Sequence, residues 1–111
     1  MKNGLKTTYY KNGQKKSEGN YKDGKWDGLW TFWYENGQKE RERTWKDGRL
    51  EQVKTFWGGM ENGPYGTWYN NGEKRRKGNW KEGKKEGLWT TWDEDGNITE
   101  TKTYKNGKEV Q

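Results

Sequence analysis

Gly28-Leu29-Trp30-Thr31-Phe32-Trp33-Tyr34-Glu35-Asn36-Gly37-Gln38-Lys39-Glu40-Arg41-Glu42-Arg43-Thr44-Trp45-Lys46-Asp47-Gly48 reads as an aromatic strand, an Asn-Gly turn, a charged strand ending in Trp45, and an Asp-Gly turn. Asn-Gly and Asp-Gly between alternating segments mark hairpins, because a type I′ turn needs φ > 0 at both central residues. Working outward, the same unit recurs. Turn glycines stand at 13, 24, 37, 48, 59, 72, 83, 96 and 107, with spacings that alternate between 11 and 13 except around Gly48. Evenly spaced turn signals define a meander of hairpins. The expected fold is all-β: a single twisted antiparallel meander sheet of about eight to nine hairpin-linked strands. It forms one domain over 1–111, with an irregular extra strand or insertion at 49–62.

Composition supports order of an unusual kind. Of 111 residues only four are Leu, two Val, one Ile and two Phe, and none is Ala, a balance that by itself resembles a disordered chain. Nine Trp and seven Tyr at fixed offsets from the glycines argue otherwise, so apolar burial must be almost wholly aromatic. There is no Cys, which excludes disulfides and thiolate metal sites. The start Met1-Lys2-Asn3-Gly4 leads into no apolar run, so a cytoplasmic location is expected, without signal peptide or membrane span. A net charge of +6 favours an acidic partner, nucleic acid or an anionic surface, or simply serves solubility.

Two-residue loops at every turn would pair Tyr34 with Lys39, Trp30 with Arg43 and Gly28 with Trp45. The same register sets Gly4 opposite Tyr21, Gly63 opposite Trp80 and Gly87 opposite Tyr104, as though each ring covered bare strand backbone. One sheet face would then carry Tyr34, Trp30, Trp45, Phe56, Tyr65 and Trp89, interleaved with Lys15, Lys39, Arg41, Arg43, Lys54, Lys74 and Arg76. Leu29, Trp33, Trp68 and Leu88 would occupy the reverse. The segment Arg49–Trp57 is either a duplicated charged strand or a shortened aromatic one. Either way it is expected to leave its neighbours' facing unchanged. Pro64 lacks an N–H, so pairing beside it should be broken.

Catalysis finds little support. Without His or Cys the usual nucleophile–base pairs are missing, and most acids lie in turns or opposite cations. No enzyme, cofactor, metal or small-molecule substrate is expected. The basic-aromatic face reads as a stacking platform for single-stranded nucleic acid, or as cation–π pairs that build the sheet. The break at 49–62 reads as a neutral insertion, or as a contact element for a protein partner. The partner-binding candidates are Arg41, Arg43, Lys54, Phe56, Trp57, Met60, Tyr65 and Arg76.

The recurring Gly-Leu-Trp-Thr-x-Trp…Glu-Asn-Gly-Gln-Lys…Trp-Lys-Asp-Gly resembles the variant MORN repeat, over Gly4 to Gly107, and is similar to the YwqK-like antitoxin family. That resemblance implies a scaffold sheet that binds proteins or lipids, with no catalytic residues. It points to a non-enzymatic protein that neutralises a partner enzyme, such as a toxin, a nuclease or another defence effector. RNA or single-stranded DNA binding is the alternative. Attachment to an anionic membrane is a second alternative that rests on analogy alone, since no amphipathic anchor helix is present.

Overall fold

The computed structural model describes residues 3–110. Strands β1 (Gly4–Tyr9), β2 (Lys15–Lys22), β3 (Lys25–Trp33), β4 (Lys39–Lys46) and β5 (Arg49–Trp57) are followed by the two-residue β6 (Met60–Glu61). Then come β7 (Gly63–Trp68), β8 (Lys74–Lys81), β9 (Lys84–Trp92), β10 (Ile98–Lys105) and β11 (Lys108–Val110). All pairing is antiparallel, and neighbours in the sheet are neighbours in the chain, except that β6 pairs only with β5 and β7 adjoins β5 directly. The strand count exceeds the sequence expectation because β6 and β11 are short elements with weak alternation. The sheet is a single layer, 48 × 33 × 12 Å, and among the described residues no second layer covers either face.

Two kinds of turn join the strands. At Asp23-Gly24 the closing pair is Lys22–Lys25, and both turn residues have positive φ (53° and 80°), as a two-residue type I′ hairpin requires. After the aromatic strands the loop is one residue longer. Tyr34 N–H donates to the Gln38 carbonyl (2.8 Å) and Gly37 N–H to the Tyr34 carbonyl (3.0 Å). Tyr34 therefore faces Gln38 rather than Lys39. A bulge between Phe32 and Trp33 then absorbs the extra residue and restores the pairs Phe32–Arg41, Trp30–Arg43 and Gly28–Trp45. The expected register holds through the body of the strand and fails at its loop end.

The glycine–aromatic pairs Gly4–Tyr21, Gly28–Trp45, Gly63–Trp80 and Gly87–Tyr104 all form, but not for the expected reason. Space is open around Gly28, and its φ of 71° is what calls for glycine. The covered glycines are Gly19 and Gly78, where a Cβ would fall inside the indole of Trp30 and of Trp89 respectively, and Gly66, where it would press on the edge of the Trp68 ring. The Trp30 and Trp89 rings, 3% and 4% exposed, are the buried hydrophobic core among the described residues. Each lies flat on glycine backbone, and its indole N–H donates to a strand carbonyl: Trp30 to Asn20 (3.0 Å) and Trp89 to Asn79 (3.1 Å). Trp26 stacks on Trp30 at 4.9 Å; Lys85 takes that place beside Trp89 at 5.1 Å.

The added strand turns the second half of the sheet over. A pair of strands restores the chain's direction, whereas a single extra strand reverses it while the sheet keeps growing the same way. The repeat unit can continue only by exchanging faces. Register shows it: Trp30–Arg43, Arg43–Val53, Val53–Gly66 and Gly66–Lys77 form one cross-strand row. Lys77 alternates with Arg76 and Gly78, so the Trp30 and Trp89 clusters lie on opposite faces. The expected preservation of facing is overturned, and so is the expectation that Trp30 and Trp89 share a face. As expected from Pro64, the β5–β7 ladder is short, with only Gln52–Thr67 and Val53–Gly66 paired, while Thr55 Oγ1 donates to the Pro64 carbonyl (2.9 Å).

Candidate functional site

The eight candidate residues do not form one patch. Arg41 and Arg43 lie on the Trp30 face, flanking Phe32 and Trp30 in register. Lys54 pairs with Glu42, which puts it on the reverse face, where the Lys39 ammonium sits over the Phe56 ring at 5.2 Å. The cause is a bulge in β5, between the pairs Thr44–Gln52 and Trp45–Leu50, which shifts the register by one residue and so flips every side chain beyond it. Tyr65 and Arg76 belong to the Trp89 face, with Tyr65 5.4 Å from Trp89 and Arg76 5.0 Å above it. The expected gathering of Arg41, Arg43 and Lys54 on one face is therefore corrected. So is the placement of Lys15 and Lys74, which the loop bulges carry to the reverse sides, against Trp33 (5.8 Å) and Trp92 (4.6 Å).

Trp57 and Met60 do come together. They close the two-residue Gly58-Gly59 turn at the tip of the added hairpin, where Trp57 is 64% and Met60 46% exposed. The Trp57 ring meets Tyr34 edge-on at 5.2 Å, and the Tyr34 hydroxyl donates to the Phe56 carbonyl (3.2 Å). The tip is thus braced against the preceding repeat while its apolar surface stays open.

Most other rings are occupied by the sheet itself. Arg41 caps Phe32 at 4.3 Å, Lys85 lies between Trp89 and Tyr104, and Lys77 sits over Trp68 at 5.2 Å. The expected cation–π partnership of Tyr34 with Lys39 is replaced by Lys39 with Phe56. Trp30 and Trp89 offer no open face to a stacking base. Packing is tight enough that Arg41 Nε, Arg43 Nε, Trp45 Nε1 and Trp80 Nε1 are buried without a hydrogen-bond partner among the described residues. Two acids are held below the usual carboxylate range. For Glu18 the cause is hydrogen bonding from Lys15 and Thr7, and for Asp93 it is the backbone N–H of Asn97 and then of Asp95. Both are half-buried, Glu18 on a strand and Asp93 in a loop, with a structural role.

The inversion creates a feature whose lining includes only Tyr65 of the candidate residues. On the Trp30 face, an open groove of about 500 Å³ is lined by Val53, Pro64, Gly66, Trp68, Lys77 and Leu88, among others. Arg43 borders it through its pairing with Val53. The sequence signal for it was the single odd spacing after Gly48, since one unpaired strand necessarily exchanges faces.

A one-layer antiparallel meander of Gly-Leu-Trp and Trp/Tyr-Lys-Asn/Asp-Gly hairpins, with rings laid on strand glycines, defines a β-sheet repeat protein whose faces are its working surfaces. The MORN repeat variant matches residues 2–23, 26–47 and 85–106, more than half of the chain, and the protein belongs to that family. The match skips the stretch that contains the added strand and the groove floor. No curated protein matches the chain in sequence.

Proposed function

We propose that this is a non-enzymatic binding protein of the antitoxin or inhibitor type, similar to the YwqK-like antitoxins. It neutralises a partner enzyme, such as a toxin, nuclease or other defence effector, by direct protein contact. The observation that carries the reading is the tip of the added hairpin: Trp57 and Met60 stand exposed at the one place where the repeat is interrupted. Interfaces are enriched in Trp and Met, and buried aromatic anchors dominate their energetics. A net charge of +6 speeds encounter with an acidic partner. The test is co-purification with the product of a neighbouring gene, followed by a titration of the complex. Trp57→Ala should weaken binding by about 2 kcal/mol with the fold intact. An unchanged affinity contradicts the assignment of the tip.

A second reading rests on β8, where Lys74, Arg75, Arg76, Lys77 and Lys81 concentrate positive charge suited to a nucleic-acid backbone. It requires that the purified protein alone bind single-stranded RNA, with log K falling by about 0.7 per phosphate neutralised as log salt rises. The enclosure of Trp30 and Trp89 weighs against stacking, so protein contact is preferred.

A further inference from the structure

We infer that the groove over Val53 and Gly66 is a docking site for an acidic polypeptide segment that carries an apolar side chain. The inference rests on the protein-contact reading and names a second contact surface together with the chemistry it accepts. The groove floor is Val53 and the buried backbone of Gly66, which lies under the edge of the Trp68 indole. Its walls are Trp68, Pro64 and Leu88, and Leu88 is 59% exposed, so an apolar anchor entering here displaces water from both surfaces.

Charge selects the partner. Register places Arg41 and Arg43 on this face at one side of the groove, and Lys77 and Lys74 on it at the other, where they pair with Gly66 and Trp68. Lys81 and Lys84 pair with each other farther along the same face. Two acids adjoin the groove in register. Glu51 lies one step beyond the Gln52–Thr67 pair and so beside Trp68. Glu86 stands opposite the lining residue Asn79, and its carboxylate already accepts the Asn106 N–H (3.2 Å). The four flanking cations outnumber them. An extended segment with an apolar residue against Val53, Trp68 and Leu88 would thus have cations on both flanks. Electrostatic complementarity of this kind sets the register and suppresses wrong partners.

This surface exists only because the added strand turns the second half over. Without the inversion, Arg41 and Arg43 would adjoin the Trp89 cluster, and Trp68, Leu88 and Lys77 would lie on the other side of the sheet. The groove is therefore a function of the irregular strand rather than of the repeat.

The test pans the full-length protein against a random-peptide display library and titrates the selected peptides, as free labelled peptides, against variants. Retained folds are checked by two-dimensional NMR. The expected peptides are rich in Asp and Glu around a Leu, Phe or Trp. They should lose at least about tenfold in affinity on Lys77→Glu and on Leu88→Asp, both at exposed positions, and keep it on Trp57→Ala. Peptides that lose binding on Trp57→Ala but not on the groove variants would support the hairpin-tip reading and overturn the groove. Selection of no peptides, or of peptides without acids, overturns the groove as well. Binding of a labelled oligouridylate that Lys77→Glu abolishes, with no peptide selected, would assign the surface to nucleic acid and overturn both readings.

Discussion

At Gly19 and Gly78 the chain has no room for a methyl group, because the Trp30 and Trp89 indoles lie where a Cβ would stand. Gly19→Ala should lift the ring off the sheet and cost about 2–3 kcal/mol in urea melts, as overpacking does. Gly28→Ala meets open space and pays only for a left-handed backbone, about 1–2 kcal/mol. Equal costs at the two sites would contradict the distinction. The sequence showed glycines and rings in fixed register but not which glycine a ring covers, since that depends on rotamers and bulges rather than on spacing. Asp93 gives a pH test. Its folded-state pKa is lowered by the Asn97 and Asp95 N–H groups, so its contribution is fully present above the ordinary carboxylate value and is lost as pH falls through the folded value. Asp93→Asn keeps an acceptor oxygen without the titration, and its acid unfolding limb should be flatter than that of the wild type.

Each hairpin is tied to the next by its loop. Tyr10 and Tyr69 hydroxyls donate to the Trp33 and Trp92 carbonyls (both 2.7 Å), and Asn12 and Asn71 side chains reach Glu35 and Glu94 carbonyls. At the added strand the corresponding Tyr34 bond is longer, 3.2 Å. Tyr69→Phe should cost about 1 kcal/mol and Tyr34→Phe less, read from urea midpoints. A larger loss at Tyr34 would mean that β5 is held as firmly as a regular repeat. The hairpins themselves were legible, because Asn-Gly and Asp-Gly carry their own turn chemistry. The three-residue loops were not: Asn36-Gly37 serves a type I turn plus bulge as readily as a type I′ turn. That one-residue difference misplaced Lys15, Lys39 and Lys74, and the β5 bulge misplaced Lys54 and Phe56 in the same way.

The whole molecule is a sheet 12 Å thick whose two buried rings belong to separate halves and opposite faces. Stability in such arrays is nearly a sum of unit and neighbour contributions. Trp30→Ala and Trp89→Ala should each cost about 3–5 kcal/mol, and in the double variant the costs should add within about 0.5 kcal/mol. Strong coupling between them would contradict the independence of the two halves. Fold class, repeat and the position of the irregularity could be read from glycine spacing alone. The consequence of the irregularity could not, because it follows from strand direction and from a bulge that no spacing reveals. The inversion is tested most directly by cross-strand NOEs along β4, β5 and β7. Cross-peaks joining Arg43 to Val53 and Val53 to Gly66 are expected. Cross-peaks joining Arg43 to Gln52, with Lys54 beside Arg41, would contradict the account and return both aromatic clusters to one face.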